Sequence, residues 1–322
     1  MKEPLIEIRD LRVYFRTIYG DARSTDGVSL KIFENEVFGI AGESGCGKST
    51  LVEGVLRLMK PPGYIKSGEV IYKGKNLFEL TEEEFNKIRW KEIAYIPQGS
   101  MNSLNPVLKV EEQMIDAILS HTDTSKEEAK QIALEALDSV GLPEDVINMY
   151  PHELSGGMRQ RVCIAMSTCL KPKIIFGDEP VTALDVVMQK LNLQTIMHLK
   201  EKIGLTVVMV AHDMAWHAEV CDRMAIMYAG KVVETGPVEE IFLNPLHPYT
   251  EGLLNAVPSL KRKFAKSIPG IAPSPLNWPP GCRFHPRCYR KMNICENEEP
   301  ELKLIDSERY VACHLYNGGN WK

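Results

Sequence analysis

The stretch Gly42-Glu43-Ser44-Gly45-Cys46-Gly47-Lys48-Ser49 fills every fixed position of the pattern G-x-x-x-x-G-K-[ST]. It lies between an apolar run, Val37 to Ala41, and a helix-like stretch, Thr50 to Met59. Glycines let the backbone curl so that its N–H groups point inward at an anion, and a following helix offers its positive end to the same charge. Strand, loop and helix in this order predict a triphosphate cradle within an α/β fold. Gly42, Ser44, Gly45 and Gly47 form the turn, Lys48 reaches the β- and γ-phosphates, the Ser49 hydroxyl ligates Mg²⁺, and Thr50 opens the helix. A chance Gly-rich loop predicts neither the Lys-Ser pair nor the flanking strand and helix.

Around this motif the pattern alternates between strand and helix. Leu5 to Phe15 and Gly27 to Phe33 are β-like, and in the second Val28, Leu30 and Ile32 alternate with polar residues. Gly68 to Tyr72 reads as a further β patch, and Ile93 to Ile96 as a short strand ending at Pro97-Gln98. From about residue 100 to 170 helical spacing takes over, as in Val110 to Leu119 and Lys126 to Val140, which predicts an inserted helical lobe. Ile174 to Phe176 and Val207 to Val210 are continuous apolar runs, as in strands buried on both faces of a parallel sheet, with Val186 to Lys202 as the crossover helix. Ala225 to Met227 and Lys231 to Glu234, joined at Ala229-Gly230, read as a hairpin. Beyond Asn244 the composition turns to Pro, Cys and Arg, so the boundary is placed between residues 1–243 and 244–322.

The bulk composition narrows the partners. At 322 residues the chain suffices for a large domain and an appendage, and its net charge of −5 argues against a protein that coats nucleic acid. Met1 to Arg12 has neither a positive leader nor an apolar block, and no apolar run reaches the roughly 18 residues needed to span a bilayer. The expectation is a cytoplasmic chain whose membrane role is exercised through a partner.

Two further sites follow the loop in order. Leu154-Ser155-Gly156-Gly157-Met158 precedes a helical run from Arg159 to Leu170, a second helix N-terminus with a hydroxyl and two glycines suited to an anion. Then Ile174 to Pro180 forms a buried strand delivering Asp178, suited to the Mg²⁺ shell, and Glu179, suited to polarising an attacking water.

With these residues in place the chain, from about residue 5 to 240, resembles the ATP-binding cassette (ABC) family. The ordered elements stand as Tyr19, Gly42 to Ser49, Gln98, Leu154 to Gln160, Asp178 and Glu179, Ala183-Leu184-Asp185, and His212. The resemblance implies that Tyr19 stacks on adenine, although Tyr14 and Phe15 are neighbouring aromatics. It implies that Gln98 contacts Mg²⁺ and the lytic water, that His212 contacts the γ-phosphate, and that Ser155, Gly156 and Gly157 bind the ATP held by an opposite subunit. Asp185 belongs to the implied D-loop. A lone histidine is by default a buried structural one, and only the position of His212 after a parallel-type strand argues otherwise. Met158 and Gly177 depart from the family pattern without removing a group the chemistry uses.

Four of the eight cysteines, Cys282, Cys288, Cys295 and Cys313, fall in the last 41 residues with gaps of five, six and seventeen. In a cytoplasmic chain such a cluster suggests a metal that staples a Pro-rich segment. Zinc sites favour C-x₂₋₄-C knuckles, while the wide gaps suit a cuboidal iron-sulfur cluster at least as well. His247-Pro248-Tyr249-Thr250, Ile268-Pro269-Gly270 and Pro280 to Cys288 are similar to the C-terminal region of oligopeptide and dipeptide importer ATPases. That resemblance implies a [4Fe-4S] cluster, with zinc as the alternative.

The expected whole is a P-loop ATPase with a mixed β core, an antiparallel β patch, a helical lobe and a small Cys- and Pro-rich C-terminal domain. It would hydrolyse ATP for a di- or oligopeptide importer, peripheral on the cytoplasmic face of the membrane. Its partners would be a second ABC subunit, identical or related, and two membrane permeases whose coupling helix sits near Gln98 to Pro106. An extracellular peptide-binding protein would act indirectly. The rivals are a soluble iron-sulfur ABC ATPase acting on ribosomes or nucleic acid, and a small-molecule kinase.

Overall fold

The computed structural model describes residues 3–180, 185–256 and 268–317. In chain order the elements begin with β1 (Ile6–Thr17), β2 (Gly20–Ile32), β3 (Val37–Ala41), α1 (Lys48–Val55), β4 (Gly63–Tyr72) and β5 (Lys75–Asn76). Next come α2 (Glu82–Asn86), β6 (Ile93–Ile96), α3 (Val110–Leu119), α4 (Lys126–Ser139), α5 (Gly156–Thr168), β7 (Ile174–Asp178), α6 (Val186–Ile203) and β8 (Thr206–Val210). The chain closes with α7 (Met214–Val220), β9 (Arg223–Tyr228), β10 (Lys231–Pro237), α8 (Val238–Leu243), α9 (Pro248–Asn255), β11 (Lys303–Leu304) and β12 (Tyr310–Val311).

Two compact units result: Met1–Phe33 with Val37–Phe78 and Ala211–Lys322, and Glu34–Glu36 with Glu79–Val210. In the first, an antiparallel sheet runs β2-β1-β4-β5, bent by register shifts within β1. A second group of strands carries the phosphate loop: β3 pairs parallel with β9, β9 antiparallel with β10, and β12 antiparallel with both β10 and β11. The switch from parallel to antiparallel pairing makes this sheet mixed. β3 is buried at every position, as its unbroken apolar run requires.

In the second unit β6, β7 and β8 are parallel neighbours, with Ile96 opposite Gly177 and Asp178 opposite Val210. All five residues of β7 and of β8 are buried. Helices α3, α4 and α5 fall between β6 and β7 in the chain. Ser125 and Glu128 close a capping box at the start of α4, and Gly204, at φ 67°, supplies the left-handed turn that ends α6.

The tail differs from the expectation of a small domain of its own. β12 extends the pairing of β10, placing Val311 opposite Glu234. Trp278, Cys282, Phe284 and Cys295 share one core with Ala41, Met224, Ile226, Tyr228 and Tyr249. A segment short of apolar residues thus completes its core by borrowing that of the phosphate-loop unit. Arg309 fixes the same edge, its guanidinium reaching Glu240 at 3.0 Å and the fully buried Glu234 at 3.4 Å.

Candidate functional site

The phosphate loop is shaped by backbone crowding. The chain leaves β3 at Ala41 and enters α1 through Gly47, which caps the helix at φ 101°. A Cβ at Gly42 would stand 2.2 Å from the Met227 carbonyl oxygen, and one at Gly47 2.2 Å from that of Ser24, so neither position admits a side chain. Gly45 is required only by its φ of 77°, since the space around it is open. Lys48 is buried, and its ammonium donates to the carbonyls of Gly42 at 2.8 Å and Glu43 at 3.1 Å. Ser44 is exposed, while Ser49 and Thr50 are partly buried. The Ser24 hydroxyl donates to that of Thr50 at 2.9 Å, and that of Thr25 to the Gly47 carbonyl at 3.2 Å, tying α1 to β2.

Sequence reading missed what holds the loop from outside. The Glu43 N–H donates to the Tyr249 hydroxyl at 2.8 Å. Arg287 takes the Glu43 carboxylate in a fork, with Nη1 to Oε2 at 2.7 Å and Nη2 to Oε1 at 2.9 Å. Its Nε donates to the Pro269 carbonyl at 2.8 Å. A second buried pair ties the tail to β2. Arg283 donates to Asp26, which also accepts from the Tyr14 hydroxyl at 2.6 Å and from Arg12 at 3.1 Å. Burial pushes the Asp26 carboxyl up, but hydrogen bonds from Tyr14 and Arg283 and the positive charge of Arg283 outweigh it and leave it below its ordinary value. The motif around Tyr249 had been visible only as a mark of resemblance.

The aromatic residues sort themselves by exposure. Tyr14 is buried and engaged with Asp26, whereas Tyr19 is 82% exposed at the tip between β1 and β2, where no core packing accounts for it. His212 is also exposed, in the link from β8 to α7, so the default of a buried structural histidine belongs instead to His217, which is fully buried with Nδ1 2.9 Å from the Asp213 carbonyl.

In the second unit, β7 ends by presenting Asp178, 1% exposed, followed by Glu179. Glu179 adopts φ 50°, an unusual backbone for a side chain of this size. It is held there by its N–H to the Val210 carbonyl at 2.9 Å, and Gln98 Nε2 donates to its carboxylate at 3.0 Å. Two of the expected catalytic residues are thus brought together. Ser155 caps α5, its exposed hydroxyl accepting from the Met158 N–H at 3.2 Å. Gly157 is buried, and a Cβ there would fall 1.9 Å from Met188 Cε, while Gly156 is half-buried. Gln160, overlooked as an anchor, receives the Ser100 hydroxyl at 3.0 Å and donates to the Pro180 carbonyl. Asp185 caps α6 by accepting from the N–H groups of Val187 and Met188 at 3.1 and 3.0 Å, whereas Ala183 and Leu184 lie outside the described residues.

The cysteine expectation requires correction. Among the described residues no group of three or more His, Cys, Asp or Glu is disposed to hold a metal ion, which supports neither the expected [4Fe-4S] cluster nor the zinc alternative. Cys282, Cys288, Cys295 and Cys313 are free thiols. Burial pushes Cys282 up to about 11 and Cys313 up to about 12, with nearby cysteines adding to both. Cys282 and Cys295 pack as small apolar groups in the core. His285 and His314 each bond a backbone carbonyl, of Cys282 at 2.9 Å and of Glu298 at 2.8 Å.

Residues 25–182 match the family described as ABC transporter, and residues 233–295 that described as oligopeptide/dipeptide transporter, C-terminal region. The chain is 46% identical over 319 residues to the dipeptide transport ATP-binding protein DppD of Caldanaerobacter subterraneus subsp. tengcongensis, with 98% of each chain covered. It belongs to the ABC transporter family. Among other ABC ATP-binding proteins, OppD of Bacillus subtilis, an oligopeptide transport ATP-binding protein, is 42% identical over 317 residues, covering 97% of this chain and 88% of that one. A dimeric bacterial ABC transporter cassette matches with a TM-score of 0.64 and 31% identity, over 72% of this chain and 98% of that one. A cassette in a post-hydrolysis state with ADP and Pi also gives 0.64, at 30% identity over the same shares. The α/β fold with its mixed sheet is therefore that of an ABC ATPase, and the relatives stand with transport proteins rather than with the ribosome-directed or kinase rivals.

Proposed function

We propose that this chain is the ATP-binding and hydrolysing subunit of an importer for di- or oligopeptides. The observation that carries the reading is the phosphate loop, whose glycine positions exclude side chains by backbone contact and whose Lys48 is held in place by the loop's own carbonyls. Relatives over nearly the whole length are named for dipeptide and oligopeptide transport. Residues 1–243 serve as the nucleotide-binding domain, with the helical lobe at about 100–170, and residues 244–322 as the importer-type C-terminal region. Among the described residues no helix is long and apolar enough to cross a membrane. In this reading the chain works from the cytoplasmic face, paired with a second ABC subunit and docked on two permeases, with an extracellular peptide-binding protein selecting cargo.

The chemistry is chiefly positioning and charge neutralisation. Lys48 and the loop N–H groups offset charge on the β- and γ-phosphates. Ser49, Gln98 and Asp178 would each supply an oxygen of the kind Mg²⁺ prefers, and the ion when bound would neutralise phosphate charge. Glu179, oriented by Gln98, aligns the attacking water, and His212 contacts the γ-phosphate. Tyr19 stacks on adenine, while Ser155, Gly156 and Gly157 of one subunit complete the nucleotide site of the other, with Asp185 beside that interface. For the four tail cysteines we propose a [4Fe-4S] cluster of structural role. It rests on the four free thiols and the similarity of the tail, not on a metal-holding group among the described residues. No step depends on it.

Glu179→Gln tests the assignment. The variant should bind ATP as the parent does while losing at least about a hundredfold in turnover, the usual worth of a positioned base. Sustained multiple-turnover hydrolysis by the variant would remove Glu179 from its role.

A further inference from the structure

A loop built to hold a triphosphate here carries an acid of its own. Glu43 follows Gly42 directly, and the carbonyls of both residues hold the Lys48 ammonium. An uncompensated carboxylate at that place would repel the incoming phosphates through a partly desolvated medium. The compensation comes from 244 positions along the chain: the Arg287 guanidinium, with its side chain 6% exposed, forks onto Glu43. Three further contacts fix the guanidinium and the loop. Arg287 Nε binds the Pro269 carbonyl, Arg287 Nη1 lies 3.3 Å from the Tyr228 hydroxyl, and the Tyr249 hydroxyl accepts the Glu43 N–H.

We propose that Arg287 is a positioning residue for nucleotide binding, and that through it the C-terminal segment sets the affinity of the phosphate loop for ATP. The inference rests on the reading of residues 42–49 as the ATP site. Arg287 cancels the Glu43 charge and, with Tyr249, holds the first turn of the loop in its receptive form. A tail that served only to bury the core would need no bidentate ion pair to a residue of the loop. Arginine is the residue suited to this task, because its planar fork holds a carboxylate at two points while a lysine supplies only a point charge.

The test is ATP binding by the full chain, measured by titration calorimetry, together with steady-state hydrolysis. Arg287→Ala should raise the Kd for ATP about tenfold, equivalent to about 1.4 kcal/mol, raise that for ADP by less, and move KM more than kcat. Arg287→Lys should recover part of the loss. Removing the acid as well, in Glu43→Gln/Arg287→Ala, should bring the ATP Kd back to within about threefold of the parent, since the charge that Arg287 cancels is then gone. Glu43→Gln alone should bind ATP at least as tightly as the parent, which keeps the proposal open to refutation if the arginine variants fail to fold. Weaker ATP binding by Glu43→Gln, or an Arg287→Ala loss that persists in the double variant, would overturn the proposal. Failure of the parent itself to bind ATP would instead overturn the assignment of the loop.

Discussion

Replacing Arg283 by methionine, which keeps the length of the stem and removes the charge, probes the joint between the tail and β2. Arg283 and Asp26 are 8% and 3% exposed, so their ion pair is shielded from water. The substitution deletes the charged bond to Asp26 and the bond from Nη1 to the Ala229 carbonyl at 2.5 Å, and it removes a guanidinium lying 5.1 Å above the Trp278 ring. Breaking a buried pair from one side costs about 3–5 kcal/mol when the remaining charge is left alone. Asp26 is not left alone, because the Tyr14 hydroxyl and Arg12 still reach it. The expected loss is therefore at the lower end, about 3 kcal/mol, assembled from a charged hydrogen bond of about 1.5–3 kcal/mol and a weakened acceptor at Ala229. Urea unfolding followed by far-UV circular dichroism measures it near neutral pH. The Asp26 carboxyl sits below its ordinary value of 3.8 in the folded chain, so its contribution is present above that value and lost as pH falls through the lower one. The gap between parent and variant should accordingly narrow on strong acidification. Arg283→Met combined with Asp26→Asn should be less destabilised than the sum of the single changes by about 1 kcal/mol or more. A loss below about 1 kcal/mol at neutral pH, or strict additivity, would refute the argument that this pair carries the joint.

Three other outcomes are open to measurement. Gly42→Ala drives a Cβ to within 2.2 Å of backbone and should abolish ATP binding, whereas Gly45→Ala meets only a φ penalty of about 1 kcal/mol and should retain it, as titration with ATP will show. Burial lowers His247 from 6.5 to about 3, so the folded chain refuses a proton the unfolded chain takes up, and stability should fall as pH drops between those values. His247 caps α9 by accepting from the Tyr249 N–H at 3.0 Å, so His247→Asn preserves the cap and should flatten that slope by up to about 1.4 kcal/mol per pH unit in urea titrations. Protein purified without oxygen should contain iron and sulfide in the stoichiometry of one cluster per chain if the four tail thiols hold one; stoichiometric zinc, or thiols free of metal, would reject that reading.

Contiguous features were legible in the chain because their causes are local. The phosphate loop, the strand ending at Asp178, and helix α3 over Val110–Leu119 each follow from a few neighbouring residues, and α3 has the expected bounds. β2 begins at Gly20 rather than near Gly27, because pairing with β1 extends through polar residues that lack an apolar alternation of their own. The tail was the least legible part. The partners of Arg283 and Arg287 lie 257 and 244 positions away, and β12 exists only because β10 offers an edge to it. No periodicity within residues 268–317 announces such distant pairing. The same holds for Gln160, whose bonds to Ser100 and Pro180 arise only after β6, α5 and β7 have assembled.

The placement of β12 against β10 bears on edge-to-edge strand pairing between copies. An open strand edge is a template on which other chains can polymerise, and natural sheets blunt such edges. Here the outermost strand after β12 is β11, only two residues long, too short to recruit a neighbour. The β11–β12 hairpin thus covers the middle of β10, and deleting residues 303–311 would bare backbone groups at Glu234 and Thr235 to another chain.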